Sequence, residues 1–167
     1  YEKGIVELIK YYMNTYTFYS KKKLKEAVEL WCENQEECIK KYGHISFWDV
    51  SKITDMSNLF KDCGEFNEDI SKWNVSNVEN MHLMFAGCFK FNKDISRWNV
   101  SNVKNMSFMF AHCNNFNQPL NNWDVSNVEL MSWMFERCYK FNQPLNNWNV
   151  SNVCLLYTSP SPRDRSS

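Results

Sequence analysis

Residues 73–97 read WNVSNVENMHLMFAGCFKFNKDISR, and their landmarks return every 25 residues on both sides. Tryptophan opens each copy, at Trp48, Trp73, Trp98 and Trp123, and a fifth copy begins at Trp148. The apolar columns keep the same register. Val75 falls in line with Val50, Val100, Val125 and Val150, Met81 with Met56, Met106 and Met131, and Phe85 with Phe60, Phe110 and Phe135. Cys88 aligns with Cys63, Cys113 and Cys138, Phe91 with Phe66, Phe116 and Phe141, and Ile95 with Ile70, Leu120 and Leu145. A unit this short cannot bury an apolar face alone, so each copy must cover its neighbours, and these columns are the expected core of a solenoid.

Within a copy the pattern predicts a helix followed by a strand. Ser76 precedes Glu79 by three residues, and Ser126 precedes Glu129, as in a capping box. Val78, Met81, Met84, Phe85 and Cys88 then recur at helical spacing, which predicts about three helical turns. Residues 94–100, DISRWNV, alternate loosely as a short strand with Ile95 inward. The chain has only four glycines, so Asn67, Asn92, Asn117 and Asn142 are the expected left-handed turn residues. Asp49, Asn74, Asn99, Asp124 and Asn149 form a further polar column, suited to turns or to a side-chain ladder between copies.

Upstream of the array, Ser20 is a suitable N-cap for a helix whose stripe runs through Leu24, Ala27, Val28, Trp31, Cys38 and Ile39 and stops at Gly43. An amphipathic helix in this place is the expected cap for the first copy. Residues 1–19 predict a short helix and then an extended piece at Tyr16 to Tyr19. Beyond Val153 the columns fail. Residues 154–164, CLLYTSPSPRD, match one translated frame of a common transposase sequencing adapter. The expected organisation is thus an N-terminal segment and capping helix over 1–47, an array of four full copies and a partial fifth over 48–153, and a non-native tail over 154–167.

Lys plus Arg and Asp plus Glu number 19 each, so no net field draws the chain to nucleic acid or to an anionic membrane. The two signs are also spread evenly, with 8 basic and 7 acidic residues before Trp48 and 9 and 11 from Trp48 to Val153. No apolar run is long enough to span a bilayer. Four of the seven cysteines occupy one column beside Met and Phe, the place of a small buried thiol, with a disulfide or a metal site as the alternatives. Asn74, Asn99, Asn105 and Asn149 match the N-x-S acceptor pattern, which turn formation and capping by the same residues already explain.

Function is expected in the polar columns. The residues flanking the inward Ile/Leu column form a candidate binding face: Asp69, Ser71 and Lys72; Asp94, Ser96 and Arg97; Asn121 and Asn122 after Pro119; Asn146 and Asn147 after Pro144. It runs from charged to neutral along the array. An enzyme of the Cys/His hydrolase type would rest on His112 beside Cys113, with His44 and His82 elsewhere, but Cys113 lies in a core column, and a nucleophile needs an exposed, activated thiolate. No catalytic, metal or cofactor set is expected.

The motif W-[DN]-V-S-N-V-x-x-M-x-x-M-F-x-x-C-x-x-F-N-x-x-[IL], over Trp48 to Val153, resembles the BspA-like leucine-rich-repeat surface proteins, including the repeat-rich proteins of mycoplasmas. The first copy departs mildly, with Lys52, Ile53 and Leu59 where later copies carry Asn, Val and Met. The resemblance implies an α/β, leucine-rich-repeat-like solenoid of helix-plus-short-strand units with an N-terminal helical cap. It also implies non-enzymatic adhesion or protein binding at the cell surface or after secretion. An intracellular interaction scaffold is the alternative with the same binding chemistry.

Overall fold

A computed structural model describes residues 15–154. The expected first helix lies almost wholly in residues 1–14 and the adapter-like tail of 154–167, apart from Cys154, in 155–167, both outside the described residues. Two helices form where Ser20 and Gly43 set the ends. Helix α1, Lys21–Glu33, starts at Ser20, whose hydroxyl accepts from the Lys23 amide at 3.3 Å. Helix α2, Gln35–Tyr42, ends at Gly43 with φ 74°, a backbone that favours glycine. The single helix expected from the apolar stripe is broken at Asn34. Its amide donates to the Leu30 carbonyl while its side chain accepts from the Glu37 amide at 3.1 Å, so one residue closes α1 and opens α2. Glu36 and Glu37 at the start of α2 and Lys40 and Lys41 at its end suit the helix dipole.

The leucine-rich-repeat-like α/β solenoid is overturned. From Trp48 to Cys154 the described residues contain no helix and no strand, only turns and isolated parallel bridges such as Asp55 with Asn80 and Asn80 with Asn105. Alternate amides explain why. In residues 81–88 those of Met84, Ala86 and Cys88 close four-residue turns on Met81, Leu83 and Phe85. Those of Met81, Leu83, Phe85 and Gly87 instead leave the copy and bond to the carbonyls of Asn105, Ser107, Met109 and Ala111 in the next one. An α-helix would direct every amide four residues back. Apolar residues three apart satisfy both arrangements, which is how the spacing imitates a helix. The predicted strand at 94–100 is likewise a turn, with the Trp98 amide on the Ile95 carbonyl and the Ser96 amide on the Asp94 carboxylate.

Each copy is therefore a turn-built layer laid on the one before. Layers one to four begin at Trp48, Trp73, Trp98 and Trp123, and like side chains lie over like. Phe60, Phe85, Phe110 and Phe135 stack with ring centroids 5.4, 5.6 and 5.7 Å apart and planes within 7°. Phe66, Phe91, Phe116 and Phe141 form a second column against the first, at 4.1 to 4.3 Å within each layer. Offset aromatic pairs contribute about 0.5–1.5 kcal/mol each beyond burial. The indole N–H of Trp73, Trp98, Trp123 and Trp148 reaches down to the carbonyl of Ile45, Ile70, Ile95 and Leu120. These carbonyls are satisfied inside the core, where an unpaired one would be costly.

The polar columns divide the remaining work differently from expectation. Asp49, Asn74, Asn99, Asp124 and Asn149 make local turns, each side chain accepting from the amide of the Ser two residues on. They account for the Ser residues without any helix to cap. The Asn67, Asn92, Asn117 and Asn142 column is the ladder. The Asn67 side chain accepts from the Asn92 amide, Asn92 from Asn117, and Asn117 from Asn142, all at 2.9 Å. Left-handed backbone falls instead on Asn58, Leu83, Phe108 and Trp133, and on Asp62, Gly87, His112 and Arg137.

The helices lie against layer one. Lys21 pairs with Asp55 at 2.9 Å, Lys25 donates to the carbonyls of Asn58 and Leu59, and the Trp31 ring meets Trp48 edge-on. Residues 16–18 pair with the same first turn through the Thr17–Asp49 bridge, the Phe18 amide donating to the Asp49 carbonyl and the Asp49 amide to the Tyr16 carbonyl. At the far end the burial fails, and Leu130, Trp133 and Val150 are exposed.

Candidate functional site

The turn that follows each Asn ladder residue brings a short polar segment to the surface beside the buried Ile70, Ile95 and Leu120. In layers one and two this segment carries charge. Asp69 accepts from the Ser71 amide at 2.9 Å and Asp94 from the Ser96 amide at 2.8 Å, which fixes both carboxylates at the lip of a turn. Hydrogen bonds from Ser71 hold the Asp69 carboxyl below its ordinary range, helped by the charges of Lys72 and Lys93. Those from Ser96 do the same for Asp94, helped by Arg97. Both stay ionised well into acid.

Between these segments lies an open cleft of about 330 Å³ lined by Asp69, Ser71, Lys93, Asp94 and Arg97. It brings four expected residues together, namely Asp69, Ser71, Asp94 and Arg97. Ser96 stands behind it, bonded to Asp94, and Lys72 is drawn away over the Phe47 ring at 5.6 Å. Lys93 is the lining residue that the sequence reading passed over. Its column, Glu68, Lys93, Gln118 and Gln143, changes charge from layer to layer beside the Asp column, and that variation was the available sign. Among the described residues neither Lys93 nor Arg97 is held in an ion pair, so both charges are presented to solvent.

The neutral half of the face is built differently. Pro119 and Pro144 replace the aspartates. The Gln118 amide reaches down to Asn92 and that of Gln143 to Asn117, and the Asn121 side chain accepts from the Asn147 amide. Asn122 and Asn146 are exposed beside them. Here the polar groups are spent on joining layers, and none of the four asparagines Asn121, Asn122, Asn146 and Asn147 lines the cleft.

The thiols lie elsewhere. Cys88 and Cys113 are buried with their sulfurs on the carbonyls of Phe60 and Phe85, and burial pushes both thiols well above their ordinary value. Burial raises Cys138 to about 12. His82 sits with Nδ1 3.0 Å from the Ser107 carbonyl, and the Ser46 amide donates to His44. Among the described residues no group of three or more His, Cys, Asp or Glu side chains is placed to hold a metal, and no helix is long and apolar enough to cross a membrane.

No curated protein and no solved structure matches the chain. The family model described as "Mycoplasma protein of unknown function, DUF285" matches residues 31–129 and again residues 86–158, spanning α2, part of α1 and the layers with the cleft between them. The chain belongs to the DUF285 family of Mycoplasma proteins.

Proposed function

We propose that this chain is a non-enzymatic protein-binding or adhesion module, and that it engages its partner through the charged segment of layers one and two. The cleft between Asp69 and Arg97 carries this reading. It sets two carboxylates and two cations in one small area on a backbone held by interlayer bonds, so little ordering cost falls on the site when a polar partner docks. Mixed charge of this kind selects partners by complementarity and speeds encounter more than it adds raw affinity. The likeness of the repeat motif to BspA-like surface proteins supports the same reading. So does the position of the one His-Cys neighbour pair. Cys113 is closed off in the core with a raised thiol, the opposite of the exposed, activated thiolate that a hydrolase requires.

The test replaces the charged residues of the cleft, Asp69, Lys93, Asp94 and Arg97, together with serine. A partner captured by the unaltered chain should be lost by this variant, while its melting curve stays within a few degrees. Undiminished capture contradicts the reading.

A further inference from the structure

We propose that Cys32 and Cys63 form a disulfide that fastens helix α1 to layer one. The two residues stand 31 apart in sequence, on a helix and in a repeat turn, yet their sulfurs are 2.8 Å from one another. Neither belongs to a close Cys pair along the chain, so the fold alone has brought them together. The Cys column explains the placement. Cys88 and Cys113 rest their sulfurs on the carbonyls of Phe60 and Phe85 in the preceding layer, and Cys138 rests on that of Cys113. Cys63 has no layer beneath it, and Cys32 of α1 occupies that place.

The pair also differs from the core thiols in access and charge. Cys32 is exposed and Cys63 half-buried, whereas Cys38, Cys88, Cys113 and Cys138 are buried. The hydrogen bond from the Cys32 thiol holds Cys63 below its ordinary value, and the nearby Lys25 charge acts in the same direction. Cys32, the donor, is held above its own. A lowered thiol next to a second, accessible one is the arrangement in which thiol–disulfide exchange proceeds.

The oxidant is a small-molecule disulfide. The Cys63 thiolate attacks one of its sulfurs and expels a thiolate. Cys32, deprotonated, then attacks Cys63 Sγ in the mixed disulfide and expels the second. Two electrons and two protons pass from the cysteines to the reagent, which leaves as two thiols. The link closes a loop that spans all of α2 and most of layer one, which restricts the unfolded chain.

The full chain is treated with glutathione disulfide, quenched with acid, alkylated and mapped by mass spectrometry. The expected product is one peptide pair joined through Cys32 and Cys63, two hydrogens lighter than the free thiols, with Cys38, Cys88, Cys113 and Cys138 recovered as alkylated thiols. The oxidised chain should melt about 10 °C above the same chain treated with dithiothreitol. The Cys32→Ser variant should show no such difference. Recovery of Cys32 and Cys63 as separate glutathione adducts, as free thiols, or joined to other cysteines overturns the proposal, and so does an unshifted melt with the link in place.

Discussion

The indole N–H of Trp98 donates to the carbonyl of Ile70, 28 residues earlier, at 3.2 Å. That one contact joins the Ile95–Trp98 turn, where layer three opens, to the equivalent Ile70–Trp73 turn one repeat below. Because each layer repeats it, the tryptophan column works as a set of staples through the core.

Truncating Trp98 to Ala removes ring packing and one of the two hydrogen bonds to the Ile70 carbonyl, which keeps the Trp73 amide. The cost should be about 3–5 kcal/mol in urea melts, as for other large aromatics in cores. Arg97→Ser, one residue away but exposed, should cost no more than about 0.5 kcal/mol. Equal losses would show that the columns do not divide core from surface.

Gly87 has φ 78°, and a Cβ there would lie 2.7 Å from the Asp62 carboxylate and 3.3 Å from its Cα. Gly87→Ala should therefore lose at least about 1–2 kcal/mol, the cost of left-handed backbone for an L-residue. At Gly64 the nearest obstacle is the ring of exposed Phe89, which can swing aside. Gly64→Ala should cost markedly less, and chemical melts of the two variants compare them directly.

The Asn92 side chain accepts from the Asn117 amide and from Gln118. Asn92→Ala leaves that backbone donor without its partner and should cost about 0.5–1.5 kcal/mol at this exposed site. Asn122→Ala, which breaks no ladder bond, should be neutral within about 0.5 kcal/mol.

Asp69 and Asp94 have folded-state pKa values below those of the unfolded chain, where Asp titrates near about 3.9. A depressed carboxylate binds fewer protons folded than unfolded. Its contribution is thus present above the unfolded value and lost as pH falls through the folded one. Thermal melts should be flat from neutral pH to about 5 and decline below about 4. The decline should be shallower in the double Asp69→Asn, Asp94→Asn variant, which keeps the acceptor oxygens and removes the titration.

What the sequence disclosed follows from what each level of structure depends on. The columns of Trp, Phe, Met and Cys were legible because stacking repeats a chemical demand every layer. The path of the backbone was not. Val78, Met81 and Met84 have the same spacing in a helix and in a run of four-residue turns, and the two differ only in where the Met81 amide goes, which is settled by Asn105 in another layer. The left-handed positions were hidden because Leu83, Phe108 and Trp133 share their column with just one Asn, at position 58. Asp69, Asp94 and Arg97 were found because they flank the inward Ile column. The Cys32–Cys63 contact left no local trace, since it depends on how α1 lies on layer one.

Scalar couplings through hydrogen bonds distinguish the two backbones at a single amide. In stacked turns the Phe85 nitrogen is coupled to the carbonyl carbon of Met109, across the 2.9 Å bond between layers. A spectrum of the labelled chain showing that coupling is the expected result. Coupling of the Phe85 nitrogen to the carbonyl of Met81 instead would place a helix in the repeat and contradict the layered fold.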